Sequence, residues 1–137
     1  MQTHGRQRDP IRTFSGAALV VALASLAALP GCAQLGRLQA MRSFKEANQA
    51  YAGQDYKKAV DLYEEAVKAY PELKVAYFYL ANSYDNMYRV ADKGKPQNDV
   101  LMEKAVKNYQ LSAEKLAGAT DQVEKMIGKR SLEYLVA

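Results

Sequence analysis

Two side chains that could carry covalent or acid–base chemistry occur only once each: Cys32 and His4 are the sole cysteine and histidine among 137 residues. A single cysteine forms no disulfide within the chain and builds no metal site. It reads either as a small buried hydrophobe or as a point of covalent modification. His4 lies in a basic N-terminal stretch, which leaves the rest of the chain without an imidazole base. Serine or cysteine triads and His/Cys zinc sites, as usually built, are thereby excluded. Asp61 and Glu65 stand one helical turn apart and have the residue types of a glycosidase-like pair. Both fall on the polar side of a patterned helix, where solvation is the simpler role. No glycine-rich phosphate loop is present. Lys107 and Lys115 are interspersed with acids, which suits a solubilising surface better than a nucleic-acid stripe. The expectation is a protein that is not an enzyme, takes no metal and binds no nucleic acid. Its chemistry would lie in covalent attachment and in surface recognition.

The charge distribution supports attachment. The chain has 19 Lys+Arg and 15 Asp+Glu, a formal net charge of +4. Arg6, Arg8 and Arg12 face one acid, Asp9, in residues 1–31; without that segment the charge is +2. Residues 16–29 form an apolar run of Ala, Leu and Val interrupted only by Ser25. A bilayer-spanning helix needs about 20 such residues, so this run is short for one. A basic flank, a short apolar core and small residues at its end describe a secretory signal peptide. Two cleavage readings stand. Gly31 and Ala33 suit an ordinary signal peptidase cutting after Ala33. Alternatively, Leu29-Pro30-Gly31-Cys32 resembles the bacterial lipobox, with Pro30 where Ala, Ser or Thr is usual. That resemblance implies cleavage before Cys32 and diacylglycerol on its sulfur, a covalent lipid being the only non-protein group expected. Each buried methylene contributes about 0.8 kcal/mol, and two or more chains anchor stably. Ala33 follows the cysteine where an inner-membrane retention signal would place Asp. The resemblance therefore implies an outer-membrane lipoprotein facing the periplasm, the alternative being a secreted periplasmic protein. Residues 32–39 are expected to be a short linker, with a reach of at most about 25 Å.

The element pattern follows. Tyr56, Ala59, Val60, Tyr63, Ala66, Val67 and Tyr70 recur at helical spacing. Lys57, Asp61, Glu64 and Lys68 line the opposite face, with Lys57/Asp61 and Glu64/Lys68 spaced for ion pairs. Gly53-Gln54-Asp55 separates this helix from a preceding one, with Asp55 as its cap, and Pro71 ends it. Ala47-Asn48 returns as Ala81-Asn82 after 34 residues, whereas Lys58-Ala59-Val60 returns as Lys104-Ala105-Val106 after 46. An insertion of 12 therefore lies in the second unit. Residues 89–99 supply it, with Gly94 and Pro96 as breakers and Asn98 or Asp99 as the next cap. Asp121 and Glu124 open a further helix over residues 120–137, with Val123, Met126, Ile127, Tyr134 and Leu135 spaced for one apolar face.

A 34-residue helix-turn-helix unit with Ala47, Tyr51, Tyr56, Ala59, Tyr63, Ala66 and Pro71 resembles the tetratricopeptide repeat. Tyr77, Leu80, Ala81, Tyr84, Ala105 and Tyr109 continue the likeness. The resemblance implies an all-α fold of antiparallel helix-turn-helix repeats: repeat 1 over about 40–73, repeat 2 over about 74–116, then a C-terminal helix. It also implies a concave groove for a peptide or partner helix, lined by Phe44, Asn48 and Tyr51 in the first unit and Phe78, Asn82 and Asp85 in the second. Phe44 stands where family members that clamp a carboxylate carry lysine, so an apolar or mixed peptide is the expected ligand. The last helix has no following helix to cover it. Either the chain is a C-terminally truncated piece of a longer protein, or another copy covers that face. An envelope scaffold is the leading expectation, as in barrel-assembly and type IV pilus pilotin lipoproteins, which share this plan. A self-associating structural subunit is the alternative.

Overall fold

In the computed structural model, which describes residues 31–137, these periodicities become five α-helices. They are α1 (Gly31–Ala52), α2 (Tyr56–Ala69), α3 (Lys74–Met87), α4 (Pro96–Leu116) and α5 (Gln122–Val136), with one 3-10 turn at Val90–Asp92. No strand occurs among the described residues, and the chain is all-α. The leader and both of its cleavage readings lie outside the described residues, apart from the backbone with which α1 begins. Each helix packs chiefly on the next in the chain, and α3 also touches α5. Short connections leave no other choice, since a helix that turns within a few residues returns antiparallel along its predecessor.

Small residues set the first crossing. Gly36, Ala40, Ser43 and Ala47 form a stripe along α1, with Ala40 and Ala47 fully buried against α2. A Cβ on Gly36 would stand 2.7 Å from the Ala69 carbonyl oxygen. Residues 32–39 are therefore not an extended linker but the first turns of α1. Here the missing side chain of Gly36 lets two backbones meet. Gln39 secures the same crossing by donating from Nε2 to Glu65 Oε1 at 3.0 Å.

The first turn follows expectation, with one difference. Asp55 caps α2 by accepting from the Lys58 amide at 3.2 Å, and α2 stops at Ala69 before Pro71. The left-handed residue of the turn is Gln54 (φ 62°), not Gly53. Ala59, Val60, Tyr63 and Ala66 are buried along α2. Lys57 and Asp61 pair on its outer face at 2.7 Å. Glu64 does not pair with Lys68; it reaches across to α3 and α4, where Tyr84 Oη donates to it and Lys104 Nζ lies 3.8 Å away.

The central helix, α3, is buried on most sides: Ala76, Tyr77, Phe78, Leu80, Ala81, Asn82, Ser83 and Tyr84 are all inside. Such a helix belongs between layers rather than on a surface. The extra length of the second unit is shared by two elements. Residues 88–95 join α3 to α4, and α4 runs for 21 residues against 14 in α2. Neither Asn98 nor Asp99 caps α4. The helix starts at Pro96 behind Lys95, because a proline in the first turn forfeits no helical bond. Asn98 is buried and brackets Arg89, accepting from its amide at 2.9 Å and donating to its carbonyl at 3.0 Å. Asp99 accepts from the Gly94 amide at 3.0 Å. Both side chains tie down the loop that precedes them.

Asp121 caps α5, accepting from the Val123 and Glu124 amides at 2.9 and 3.0 Å. The face that α5 buries is narrower than its apolar spacing predicts. Ile127, Gly128 and Ser131 are buried, whereas Val123 and Met126 stay exposed at 56% and 50%. Close approach decides this. Gly128 lies on Leu116, where an added Cβ would meet Leu116 Cβ at 3.0 Å. Ser131 Oγ lies 2.9 Å from Ser112 Oγ and donates to the Ile127 carbonyl.

Candidate functional site

Side chains of the odd-numbered helices meet on one face. Phe44 of α1 packs edge-on against Tyr79 of α3, with ring centroids 5.8 Å apart. Asn86 of α3 donates from Nδ2 to Tyr51 Oη of α1 at 3.3 Å. Phe78 of α3 meets Tyr134 of α5 at 6.1 Å. Phe44, Tyr51, Tyr79 and Asp85 are half-buried there, and Tyr134 is 48% exposed. The result is an aromatic band with polar tips, held on helices rather than loops.

The six groove positions separate by what each side chain already does. Phe44 wedges between Tyr63 and Tyr79 and leaves one side to solvent. Tyr51 stands edge-on to Tyr56 at 5.4 Å and is half-buried. Asp85 is half-buried and makes no side-chain hydrogen bond or ion pair among the described residues. Asn48 is exposed, but its Oδ1 accepts from Tyr63 Oη at 2.6 Å. Phe78 and Asn82 are interior, at 7% and 8% exposure, and Asn82 donates back to the Phe78 carbonyl of its own helix at 2.9 Å. Phe44, Tyr51 and Asp85 thus keep part of their surface exposed, and the two asparagines are occupied by the fold. Cys32 lies in the first turn of α1.

Sequence reasoning missed Tyr79 and Asn86, read Tyr109 only as a repeat residue, and read Tyr134 only as part of an apolar face. Tyr79 follows Phe78 and was legible as a surface aromatic once Phe78 turned inward. The stack of Tyr109 on Tyr134, with centroids 4.8 Å apart and planes within 2°, joins α4 to α5 and has no signature in either helix alone.

Burial governs the electrostatics. Tyr109 is 3% exposed and its hydroxyl is buried without a hydrogen-bond partner. Loss of solvent pushes that hydroxyl far above the usual tyrosine range, and the nearby Asp85, Tyr134 and Tyr51 push it further. Loss of solvent also raises the Asp85 carboxyl. Tyr51 is raised by burial first and by Tyr56 next, with the Asn86 hydrogen bond opposing. Tyr84, on the other side of α3, is raised by burial and then by the carboxylate of Glu64 that it bonds.

Among the described residues no group of three His, Cys, Asp or Glu could hold a metal ion, and no helix is long and apolar enough to cross a membrane. The chemistry that the aromatic face offers is recognition: large rings contribute area at low entropy cost, and their hydroxyls contribute direction. No family model, no curated protein and no solved structure matches the chain.

Proposed function

We propose that this chain is a membrane-anchored interaction module of the bacterial envelope. In this reading it is a tetratricopeptide-like array that presents the shared face of α1, α3 and α5 to a protein or peptide partner. The observation that carries the reading is the half-exposed aromatic band of Phe44, Tyr51, Tyr79 and Tyr134 on alternate helices, continuous with a rigid core. The order of contacts, each helix on the next and α3 on α5, suits a stack of antiparallel hairpins of the repeat type.

Lipid on Cys32 would supply the anchor. With α1 starting at Gly31, only about 6 Å of helix, at 1.5 Å per residue, separates Cys32 from the Gly36 crossing. A domain so held stands directly on its bilayer, on the periplasmic face of the outer membrane in this reading. Nothing catalytic and no nucleic acid enters the reading.

The test is photo-crosslinking in cells from positions 79 and 134, with mass spectrometry of the adducts, in the native chain and in Cys32→Ser. A common protein adduct from both positions, and loss of fatty-acid label and membrane fractionation in Cys32→Ser, are the expected results. Unlabelled native chain would remove the anchor, and adducts from neither position would remove the face. A second reading, self-association, draws on a different observation. Leu132 and Val136 are exposed at 57% and 87%, and Leu132 borders an apolar cleft of about 530 Å³ between α4 and α5. Sedimentation equilibrium decides it, since a monomer at high concentration leaves no role for that cleft between copies.

A further inference from the structure

The first half of α1 carries an exposed apolar stripe that the fold does not use. Leu35, Leu38 and Met41 are exposed at 67%, 68% and 48%. Spaced by three residues, they follow one another on successive turns of a single helix. Leu38 stands about 160° around α1 from the buried Ala40, at 3.6 residues per turn, so the stripe is on the side away from α2. A lone exposed leucine is ordinary, whereas a contiguous run of large apolar side chains marks a contact surface.

Charge identifies what the surface contacts. No Asp or Glu occurs between Asp9 and Glu46, whereas Arg37, Arg42 and Lys45 are interleaved with the stripe and exposed. Arg42 pairs with Glu46 at 3.0 Å; Arg37 and Lys45 make no ion pair among the described residues. Glu65, which reaches α1 from α2, already accepts from Gln39. A second copy of this face would set like charges against each other, so the complement must be apolar and anionic at once. A bilayer supplies both, since acyl chains receive the stripe and long basic side chains reach back to the head groups. Among the described residues no helix is long and apolar enough to cross a membrane, and lying in the interface is what such a face permits. Position agrees with charge. The apolar run of residues 16–29 ends just before α1, and Cys32 precedes Leu35 by three residues. Leu38 is only about 9 Å along the axis from Cys32, at 1.5 Å per residue, so an anchor there brings the bilayer to the stripe.

We propose that the outer face of α1 from Leu35 to Lys45 rests in an anionic bilayer, with Leu35, Leu38 and Met41 below the head groups and Arg37, Arg42 and Lys45 against the lipid phosphates. α1 then lies along the membrane, and α2 packs on its other side. Phe44 and Tyr51 stand about 120° and 140° around the helix from Leu38, which keeps the aromatic band clear of lipid. The inference deepens the proposed function and rests on its membrane-anchored reading.

The test uses the native chain as the cell processes it, purified in neutral detergent and reconstituted into vesicles. One set holds phosphatidylethanolamine with phosphatidylglycerol, the other phosphatidylcholine alone. The chain has no tryptophan, so a single introduced one reports its own surroundings. Leu35→Trp and Leu38→Trp replace exposed side chains; Leu132→Trp, exposed at 57% on α5, is the reference, and each variant is checked for native helicity. In the anionic vesicles, emission from positions 35 and 38 should move to the blue and be quenched several-fold more than position 132 by lipids brominated on their acyl chains. Quenching should weaken in phosphatidylcholine, and Arg37→Gln with Lys45→Gln should weaken it in the anionic vesicles. Unshifted, unquenched emission from 35 and 38 in a chain that sediments with the vesicles overturns the bilayer contact. A blue shift without quenching shows that protein covers the face, and equal quenching in both lipids shows no head-group preference; either overturns the proposal. A chain that carries no lipid on Cys32 yet shows the shift and the quenching removes the anchor and keeps the face. A lipidated chain that is not quenched keeps the anchor and loses only the face.

Discussion

Replacing Tyr109 by phenylalanine removes one oxygen and should make the protein more stable. The ring is 3% exposed, stacked on Tyr134 and edge-on to Phe78, and phenylalanine keeps both contacts. What disappears is a hydroxyl that gave up its water on folding and gained no partner. Leaving such a group unsatisfied costs about 1–3 kcal/mol, so Tyr109→Phe should gain a similar amount. For a domain of this size that corresponds to a rise in Tm of about 4–8 °C per kcal/mol. Tyr63→Phe provides the opposite sign. Its hydroxyl donates to Asn48 Oδ1 at 2.6 Å, and its loss should cost about 0.5–1.5 kcal/mol, at the low end because Asn48 is exposed and can bond water instead. Urea unfolding followed by far-ultraviolet circular dichroism measures both, with an unchanged slope as the sign that the two states have not altered. If Tyr109→Phe loses as much as Tyr63→Phe, the Tyr109 hydroxyl has a partner and the argument from its isolation is wrong.

Three further outcomes follow from the same geometry. Gly36→Val should destabilise by about 1–3 kcal/mol, because its Cβ is aimed at a backbone oxygen that cannot swing aside, whereas Gly118→Ala, with nothing within 4 Å, should be neutral in the same urea assay. Asn98→Ala breaks both bonds to Arg89 and should raise hydrogen-exchange rates in residues 88–95 while α2 keeps its protection. The Asp85 carboxyl is raised on folding, so the native state holds its proton to higher pH than the unfolded chain does. Its contribution is therefore fully present below the ordinary carboxylate range and is lost as pH rises through the raised folded value. Asp85→Asn should be the more stable protein at neutral pH, and its advantage should shrink on acidification; an advantage that does not change with pH contradicts the assignment.

Helical periodicity determined a good deal by itself. The apolar steps of α2, the cap at Asp55, the stop before Pro71 and the cap at Asp121 are all local, since each depends on residues within about one turn. The offsets of 34 and 46 residues showed that the second unit is longer by 12, a length the structure divides between residues 88–95 and a longer α4. Of the six groove positions that the family resemblance implied, Phe44, Tyr51 and Asp85 stay half-buried while Phe78 and Asn82 are interior.

Contacts between distant residues decided the rest. Gly36 reads as a linker residue until Ala69 is brought against it, and Pro96 reads as a breaker until it is seen starting α4. Asn48 and Asn82 have the right type and spacing for a groove, yet one is bonded to Tyr63 and the other to its own helix. A hydrogen bond with a partner 15 residues away leaves no trace in a helical wheel. Asp85 and Tyr109 show the same limit from the other side. Their sequence neighbours say nothing about a missing partner, because an unpaired carboxylate and an orphaned hydroxyl depend on what the other helices place beside them.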